Sequence, residues 1–284
     1  MNGCGTPCRR RTAMGTVPNT GSARTDNVHR EVRAEFDEKG WVVQRGRLDA
    51  DLVADLAGWT DELEKWARTG GPGLHHFEQT GRGPVVARSE RFADEHRELG
   101  GFIRGPLIGD TLTALFGEPA VLFKEKVNYK YPGGGGFAPH QDATAYRFVD
   151  HHISVMVPID SATEASGCLW FAPGHGEGQL PTDDRGRVHD DVAPTLDWQP
   201  LPVEPGDVVF FDSYAPHKSD TNATDRPRRA LYLTYNAESR GDLRAKYYED
   251  KQAEFEREGG TFDDERVRIS VSDDFLGKPV SAPG

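Results

Sequence analysis

The chain has 284 residues, 36% of them hydrophobic and 28% charged, which predicts a folded globular protein of one large domain or two small ones. A formal net charge of −12 argues against general nucleic-acid binding, because such binding needs a surface that neutralises phosphates. No apolar run reaches the ~18 residues of a membrane span, and three cysteines are too few for a disulfide framework. We therefore expect a cytoplasmic protein that does not act at a membrane.

The first 120 residues carry mainly helical signals. Residues 1–28 lack apolar periodicity and are interpreted as a disordered tail that precedes a single domain, residues 29–284. Helices are predicted over 85–104, over 106–116 between Pro106 and Gly117, and after a cap at Asp49, with a short strand at 40–43. The helix after Asp49 is predicted from apolar residues whose spacing alternates between four and three positions: Leu52, Leu56, Trp59, Leu63 and Trp66.

From about residue 121 to residue 240, short β-like runs alternate with turns rich in glycine and proline. The runs cover 121–131, 137–142, 153–159, 168–171, 208–211 and 230–235, and Glu204–Asp207 has the sequence of a type II turn. Several short strands with such turns predict a sandwich or jelly roll. A charged extension, 241–284, follows, and its first part (244–257) is predicted to be helical. The expected fold class is mainly β with flanking helices.

Two histidines and one aspartate form a candidate metal site. Residues i and i+2 of a strand point to the same face, so His140 and Asp142 are expected to converge. His217 follows another apolar strand and supplies a candidate third ligand. Two histidines and one carboxylate leave three positions of an octahedral metal open, the arrangement of non-haem Fe(II) oxygenases. The second His-x-Asp tripeptide, His189–Asp191, lies in a polar segment that we interpret as a solvated loop.

An arginine downstream of the third candidate metal ligand is a candidate for binding a cosubstrate. Arg228 stands eleven residues after His217, at the start of a predicted strand, and Arg229 points to the opposite face. A dicarboxylic cosubstrate that chelates iron at one end needs a cation at its other end, and arginine provides a charged, bidentate partner.

With these residues the sequence resembles the phytanoyl-CoA dioxygenase family of 2-oxoglutarate-dependent oxygenases. The resemblance covers about residues 30–280 and includes Lys126–Lys130, Ser166–His175 and Glu204–Phe211. The second of these segments departs from the family pattern at Ser166 and lacks a serine before His175. The resemblance implies a double-stranded β-helix, a cupin-like jelly roll. It also implies Fe(II), 2-oxoglutarate and O2 as reactants, with succinate and CO2 released.

The resemblance and the strand pattern also suggest roles for residues beyond the metal ligands. Asn128 and Lys126 are expected at the cosubstrate, as is Ser219, two residues after His217. Halogenating relatives replace the carboxylate of the metal site, so Asp142 implies hydroxylation or a related oxidation. The candidate substrate residues, which follow the metal tripeptide or lie on nearby predicted strands, are Tyr146, Arg147, Trp170 and Lys124.

The substrate and the assembly remain open in the sequence. The resemblance to bacterial members implies a small metabolite as the substrate, such as an aminophosphonate or a natural-product intermediate, and the cations around the ligand strand favour an anionic one. The chain is expected to be a monomer or homodimer. Two other functions use the same residues. One is a sensor or scaffold protein that binds metal and 2-oxoglutarate without turnover. The other is a zinc hydrolase, against which stands the lack of a convincing general-base glutamate near the ligands.

Overall fold

A computed structural model describes residues 20–80, 83–145, 150–173, 176, 178–257, 267–270 and 278–279 of the chain. The side chains of residues 20–28, 78–80, 83 and those after 253 are not described. Within these ranges the helices are α1 (Thr20–Lys39), α2 (Ala50–Thr69), α3 (Arg97–Ile103), α4 (Pro106–Phe116) and α5 (Arg244–Arg257). None of the described helices is both long enough and apolar enough to span a membrane.

Thirteen strands are assigned within the described residues. The first four are β1 (Trp41–Gln44), β2 (Leu74–Thr80), β3 (Gly83–Glu90) and β4 (Ala120–Lys130). The middle strands are β5 (Phe137–His140), β6 (Ile153–Pro158), β7 (Leu169–Phe171), β8 (Gln199–Leu201), β9 (Val208–Asp212) and β10 (His217–Ser219). The last three are β11 (Arg228–Ala237), β12 (Val267–Ser270) and β13 (Lys278–Pro279).

These strands form two sheets. The major sheet has the order β1-β9-β6-β11-β4-β3-β2-β12-β13, and the minor sheet has the order β5-β10-β7-β8. Aromatic and aliphatic side chains from both sheets pack together; the Trp41 and Phe171 rings, for example, stack with centroids 5.0 Å apart. The other face of the major sheet packs on helices α1–α4 and carries the larger apolar core. This arrangement is the predicted double-stranded β-helix with flanking helices, and its two sheets do not close into a barrel.

Helix α2 shows how the sequence specifies a flanking element. Asp49 accepts a hydrogen bond from the Leu52 amide at 2.9 Å, as a capping residue does, and Gly70 ends the helix with φ 75°. Leu56 and Leu63 are buried, and the other members of the predicted stripe pack against the same core. The predicted start of α4 at Pro106 and its end at Gly117 are also confirmed.

The predicted helix over 85–104 is wrong in its first half. Residues 83–90 form β3, which pairs with β2 on one side and β4 on the other, and α3 starts only at Arg97. One face of β3 carries the buried polar residues Arg88 and Glu90. Apolar alternation, which identifies a strand in a sequence, is therefore absent here.

Two predicted boundaries also differ from the structure. Helix α1 begins at Thr20, inside the segment interpreted as a tail, whereas residues 1–19 lie outside the described residues. Strand β5 ends at His140, so Asp142 does not belong to the strand but starts a 3₁₀ turn, Asp142–Ala145. The predicted helix over 244–257 coincides with α5.

Candidate active site

The structure brings the three predicted metal ligands together between the sheets. His140 at the end of β5 and His217 at the start of β10 are cross-strand neighbours in the minor sheet. The Asp142 Oδ1 atom lies 3.9 Å from Nε2 of His140 and 3.9 Å from Nε2 of His217. The potential ligand atoms of these three residues all lie within 4.8 Å of one another. No other group of three metal-ligating side chains occurs in the part of the chain that the structure describes.

Neighbouring groups fix the orientation of each ligand. Nδ1 of His140 donates to the Ala138 carbonyl at 2.7 Å, and Nδ1 of His217 donates to the Ala215 carbonyl at 3.0 Å. In this tautomer the lone pair of each imidazole is on Nε2, the atom that faces Asp142. The Ser154 hydroxyl donates to Asp142 Oδ2 at 2.8 Å, so that Oδ1 is turned towards the histidines.

The protonation states also suit metal binding. Burial, and then the neighbouring His217, lowers the pKa of His140 to about 3, and burial lowers that of His217 as well. Burial by itself would raise the pKa of Asp142, but the electrostatic effect of its neighbours, His217 first and then Lys124, outweighs burial and lowers that pKa. At neutral pH the site therefore offers two neutral imidazoles and one carboxylate, the forms that bind a cation.

These donors fit ferrous iron. Two nitrogen ligands and one oxygen ligand, each oriented by a further hydrogen bond, are the protein ligands of the facial triad in non-haem iron oxygenases. When iron and 2-oxoglutarate are bound, they activate O2 and supply the oxidising power of the reaction. Imidazole and carboxylate also bind zinc, but no glutamate lies on the described pocket wall to serve as a general base.

A pocket opens in front of the triad between the two sheets. Its wall includes the triad and residues of β3, β4, β6, β7, β9, β10 and β11. Three predicted residues of β4 and one of β10 lie on this wall: Lys124, Lys126, Asn128 and Ser219. Lys124, Lys126 and Asn128 are alternate residues of β4 and therefore share one face of the strand. Their binding roles stay predictions.

Arg228 lies directly behind one side of the pocket wall. Its Nη1 donates to the Tyr232 hydroxyl at 3.3 Å, its Nη2 donates to the Gly167 carbonyl, and Tyr232 itself lines the pocket. The guanidinium is 1% exposed, its Nε has no hydrogen-bond partner, and no described carboxylate pairs with it. Burying a cation without a counter-ion is costly, so this site favours an anionic ligand. On the pocket wall the Ser219 hydroxyl accepts from Lys130 Nζ at 2.9 Å and retains its own proton for donation.

Lys126 and Asn128 form the middle of the same wall. The Lys126 ammonium lies 5.4 Å from the Tyr232 ring centroid and donates no hydrogen bond to the described residues. Burial lowers its pKa well below the usual range, and the nearby Arg88 and Lys124 charges add to that effect. The Asn128 Oδ1 atom accepts from Arg88 Nε at 3.3 Å. That hydrogen bond directs the Asn128 amide NH2 group away from Arg88 and leaves it as a donor.

Arg88 is a pocket residue that the sequence did not indicate. It reaches the wall from β3, one strand beyond β4, and was hidden inside a predicted helix. If 83–90 is taken as a strand, Arg88 and Glu90 share a face with the β4 lysines. This alternation of charged residues is the one feature of the sequence that could have indicated Arg88 as a pocket residue.

Trp170 does not line the pocket, contrary to the prediction. On the short strand β7, Leu169 and Phe171 point inward, so Trp170 must point outward. Its ring packs instead under the Lys218 ammonium at 5.4 Å. Tyr146 and Arg147 lie outside the described residues. His189 and Asp191 are both exposed, as expected for a solvated loop.

Comparisons with known proteins agree with this fold and this site. Residues 36–230 match the family profile "Phytanoyl-CoA dioxygenase (PhyH)". Methylphosphonate hydroxylase from Gimesia maris is 47% identical over 246 residues, which cover 86% of this chain and 94% of that protein. 2-Aminoethylphosphonate dioxygenase from an uncultured bacterium is 40% identical over 256 residues, which cover 88% and 97%.

Solved structures with lower identity share the fold. The α-ketoglutarate-dependent epimerase SnoN superposes with a TM-score of 0.63 at 23% identity over 75% of this chain and 84% of that chain. EctD from S. alaskensis superposes with a TM-score of 0.62 at 22% identity over 74% of this chain and 76% of that chain. At these identities the likeness concerns architecture alone.

The fold and the triad define a non-haem iron oxygenase of the double-stranded β-helix class. Within that class, the chain belongs to the phytanoyl-CoA dioxygenase family. It is an Fe(II)- and 2-oxoglutarate-dependent dioxygenase that oxidises a C–H bond of a small molecule, with release of succinate and CO2.

Proposed function

We propose that the substrate is a small organophosphonate and that the enzyme hydroxylates one of its carbon atoms. The observation that carries the proposal is the charge of the pocket wall. Arg88 and Lys124 face the triad, and so does Lys126, whose lowered pKa rises again beside a bound anion; Asp142 is the one carboxylate on the described wall. Such a wall attracts a dianion. The names of the two relatives at 47% and 40% identity, both phosphonate oxygenases, support the same substrate class.

We assign the binding of iron to His140, Asp142 and His217. For 2-oxoglutarate we assign the far carboxylate to Arg228, with the Ser219 hydroxyl as a second donor beside it. Asn128 and Lys126 supply donors between that end and the metal. The buried guanidinium of Arg228 supports this direction of binding, since none of the described carboxylates pairs with it and the far carboxylate of 2-oxoglutarate would provide the counter-ion.

In this assignment the chain orients its reactants and excludes water. The substrate C–H, O2 and 2-oxoglutarate are converted to C–OH, succinate and CO2, so one oxygen atom enters each organic product. The cationic wall holds the phosphonate, and the apolar side chains of Leu169 and Phe211 line the pocket with it. Binding energy at the phosphonate thus positions a C–H bond at the metal.

A panel of small acids tests the proposal. The purified protein with Fe(II), 2-oxoglutarate and ascorbate is incubated with methylphosphonate, 2-aminoethylphosphonate, methanesulfonate or propionate. Succinate is quantified, and the phosphorus compounds are followed by 31P NMR. We expect succinate to form in proportion to a hydroxylated phosphonate, with much less turnover of the sulfonate, a monoanion. Coupled turnover of propionate with no turnover of either phosphonate would overturn the proposal.

We further infer that the enzyme works in the cytoplasm as a monomer or homodimer. Cys168 is a buried, free thiol. Ferrous iron also needs reducing surroundings, because its oxidised form does not support the reaction. Size-exclusion chromatography with light scattering of the purified protein distinguishes the two assemblies, and a tetramer would contradict the inference.

A further inference from the structure

The guanidinium of Arg88 is held from behind and faces the pocket. Its Nε donates to Asn128 Oδ1 at 3.3 Å, and its Nη1 donates to Glu90 Oε1 at 3.2 Å. Nη2 has no hydrogen-bond partner among the described residues, and the side chain is 10% exposed, with the residue on the pocket wall. Two of its three nitrogens are thus used to fix the group, and the third remains for a ligand.

The carboxylate of Glu90 is shared between two cations. Besides Arg88, Lys251 of α5 donates to Glu90 Oε2, and His76 Nε2 lies 3.7 Å from Oε1. The Glu90 side chain is 3% exposed. Burial raises its pKa, but the Lys251, His76 and Arg88 charges outweigh burial and keep that pKa well below the usual range. One buried negative charge therefore faces two positive ones, and a positive charge is left over at Arg88.

This excess charge lies apart from the proposed cosubstrate anchor. Arg88 is on β3 and Arg228 on β11, with β4 between them, which corresponds to roughly 10 Å across two strand spacings. Asn128 of β4 stands between the two ends: its oxygen is bound by Arg88, and its NH2 group is directed to the other side. The pocket thus has two separate cationic ends, as two different anions require.

We propose that Arg88 binds a phosphonate oxygen of the substrate, and that Glu90 and Lys251 are positioning residues that hold its guanidinium in place. The inference rests on the proposed phosphonate substrate and names the end of the pocket that binds it. It also makes α5 part of the substrate site, since Lys251 reaches Glu90 from that helix. A guanidinium suits this role better than an ammonium does, because Nε and Nη1 hold the planar group from behind while Nη2 is directed to the ligand.

Binding measured without turnover tests the inference. Calorimetry is carried out without O2 on protein loaded with Mn(II) and 2-oxoglutarate, with methylphosphonate as titrant; the affinity for 2-oxoglutarate is measured separately. We expect Arg88→Met to weaken methylphosphonate binding roughly 10- to 100-fold, the size of one lost hydrogen bond to a charged group. Arg88→Lys should recover part of that loss. Glu90→Gln and Lys251→Met should each weaken binding less than Arg88→Met, and all four variants should bind 2-oxoglutarate within about threefold of the wild type.

A matched control separates this role from structural support. Arg244 also forms a buried pair with a glutamate, donating to Glu125 Oε1 at 2.6 Å, but it does not line the pocket. Arg244→Met should therefore lower the melting temperature without changing methylphosphonate affinity. Methylphosphonate binding within twofold of the wild type in Arg88→Met, or an equal loss in Arg244→Met, would overturn the inference. Failure of the wild type itself to bind any phosphonate would instead overturn the proposed substrate class, and the assignment of Arg88 with it.

Discussion

At the scale of single residues, the metal centre depends on two imidazoles that are neutral because they are buried. His140 and His217 each donate from Nδ1 to a backbone carbonyl two residues earlier in the chain, which leaves Nε2 for the metal. Backbone carbonyls cannot be removed by substitution, so this orientation is an intrinsic property of the two strands. The orientation of the Asp142 carboxylate depends instead on a side chain, the hydroxyl of Ser154.

Removal of a ligand should abolish activity. A site with three protein ligands that loses one keeps too few anchors for iron, so His217→Ala should lower Fe(II)-dependent succinate formation by more than about 100-fold. His189→Ala, which changes an exposed histidine away from the site, is the control and should leave turnover unchanged. Iron content measured after gel filtration should follow the activity. Near-normal succinate formation by His217→Ala would contradict the assignment of the triad.

The two neighbouring arginines of β11 should behave differently. Arg228→Gln removes a buried cation that has no counter-ion among the described residues, so 2-oxoglutarate binding should weaken roughly 10²- to 10³-fold, as for a buried pair that loses one partner. Arg229 points to the other face, where it pairs with Asp160 and Asp61. Arg229→Gln should lower thermal stability and leave the affinity for 2-oxoglutarate within a few-fold of the wild-type value. The reverse result would show that Arg228 does not hold the cosubstrate.

The sequence predicted the residues of the metal centre better than the residues around it. His140, Asp142 and His217 follow from ligand chemistry and strand periodicity, and they meet in the structure even though Asp142 is in a turn. Arg88 was missed, because the alternation of residues 83–90 shows which residues share its face but not which strand pairs with β4. That pairing is a long-range contact, and the local pattern of residues does not record it.

At the scale of secondary structure, local signals sufficed for helices and failed for polar strands. Asp49, Pro106 and Gly117 mark helix ends through hydrogen bonds and backbone angles that are formed locally, and each lies where it was predicted. Strand β3 needs neighbours on both sides before it is stable, and its inner face is polar because it faces a binding pocket. The failure of the apolar pattern is therefore itself a mark of the functional face.

The cap of α2 is suited to a test at this scale. Asp49→Ala removes the acceptor for the Leu52 amide, so the free energy of unfolding should fall by about 1 kcal/mol. The helix packs on the outer face of the major sheet, so turnover at a temperature well below the transition should not change. Chemical denaturation measures the first quantity and succinate release the second. Asp51→Ala, which alters a neighbouring acidic residue without that hydrogen bond, is the control; an equal loss there would contradict the cap.

At the scale of the whole molecule, the buried histidines link stability to pH. Burial lowers the pKa of His140 and that of His152 to about 3, and it lowers the pKa of His76 and of His217 as well. In the unfolded chain these groups take up protons near pH 6.5, whereas in the folded metal-free protein they remain neutral. Their folded pKa is the lower one, so the stability they contribute is fully present above about pH 6.5 and is lost as the pH falls towards 3.

The free energy of unfolding of the metal-free protein should therefore fall steeply between pH 7 and pH 5. At pH 5 His140 and His152, whose pKa values in the folded protein are about 3, each favour the unfolded chain by about 2 kcal/mol, because the proton is bound there and not in the folded protein. Urea denaturation at both values measures the change, and His152→Phe should reduce it, since one titrating group is removed from a buried position next to Phe123. His189→Ala, at an exposed site, should leave the change as it is. A free energy of unfolding that is equal at pH 7 and pH 5 would show that the histidines titrate in the folded protein as they do in water.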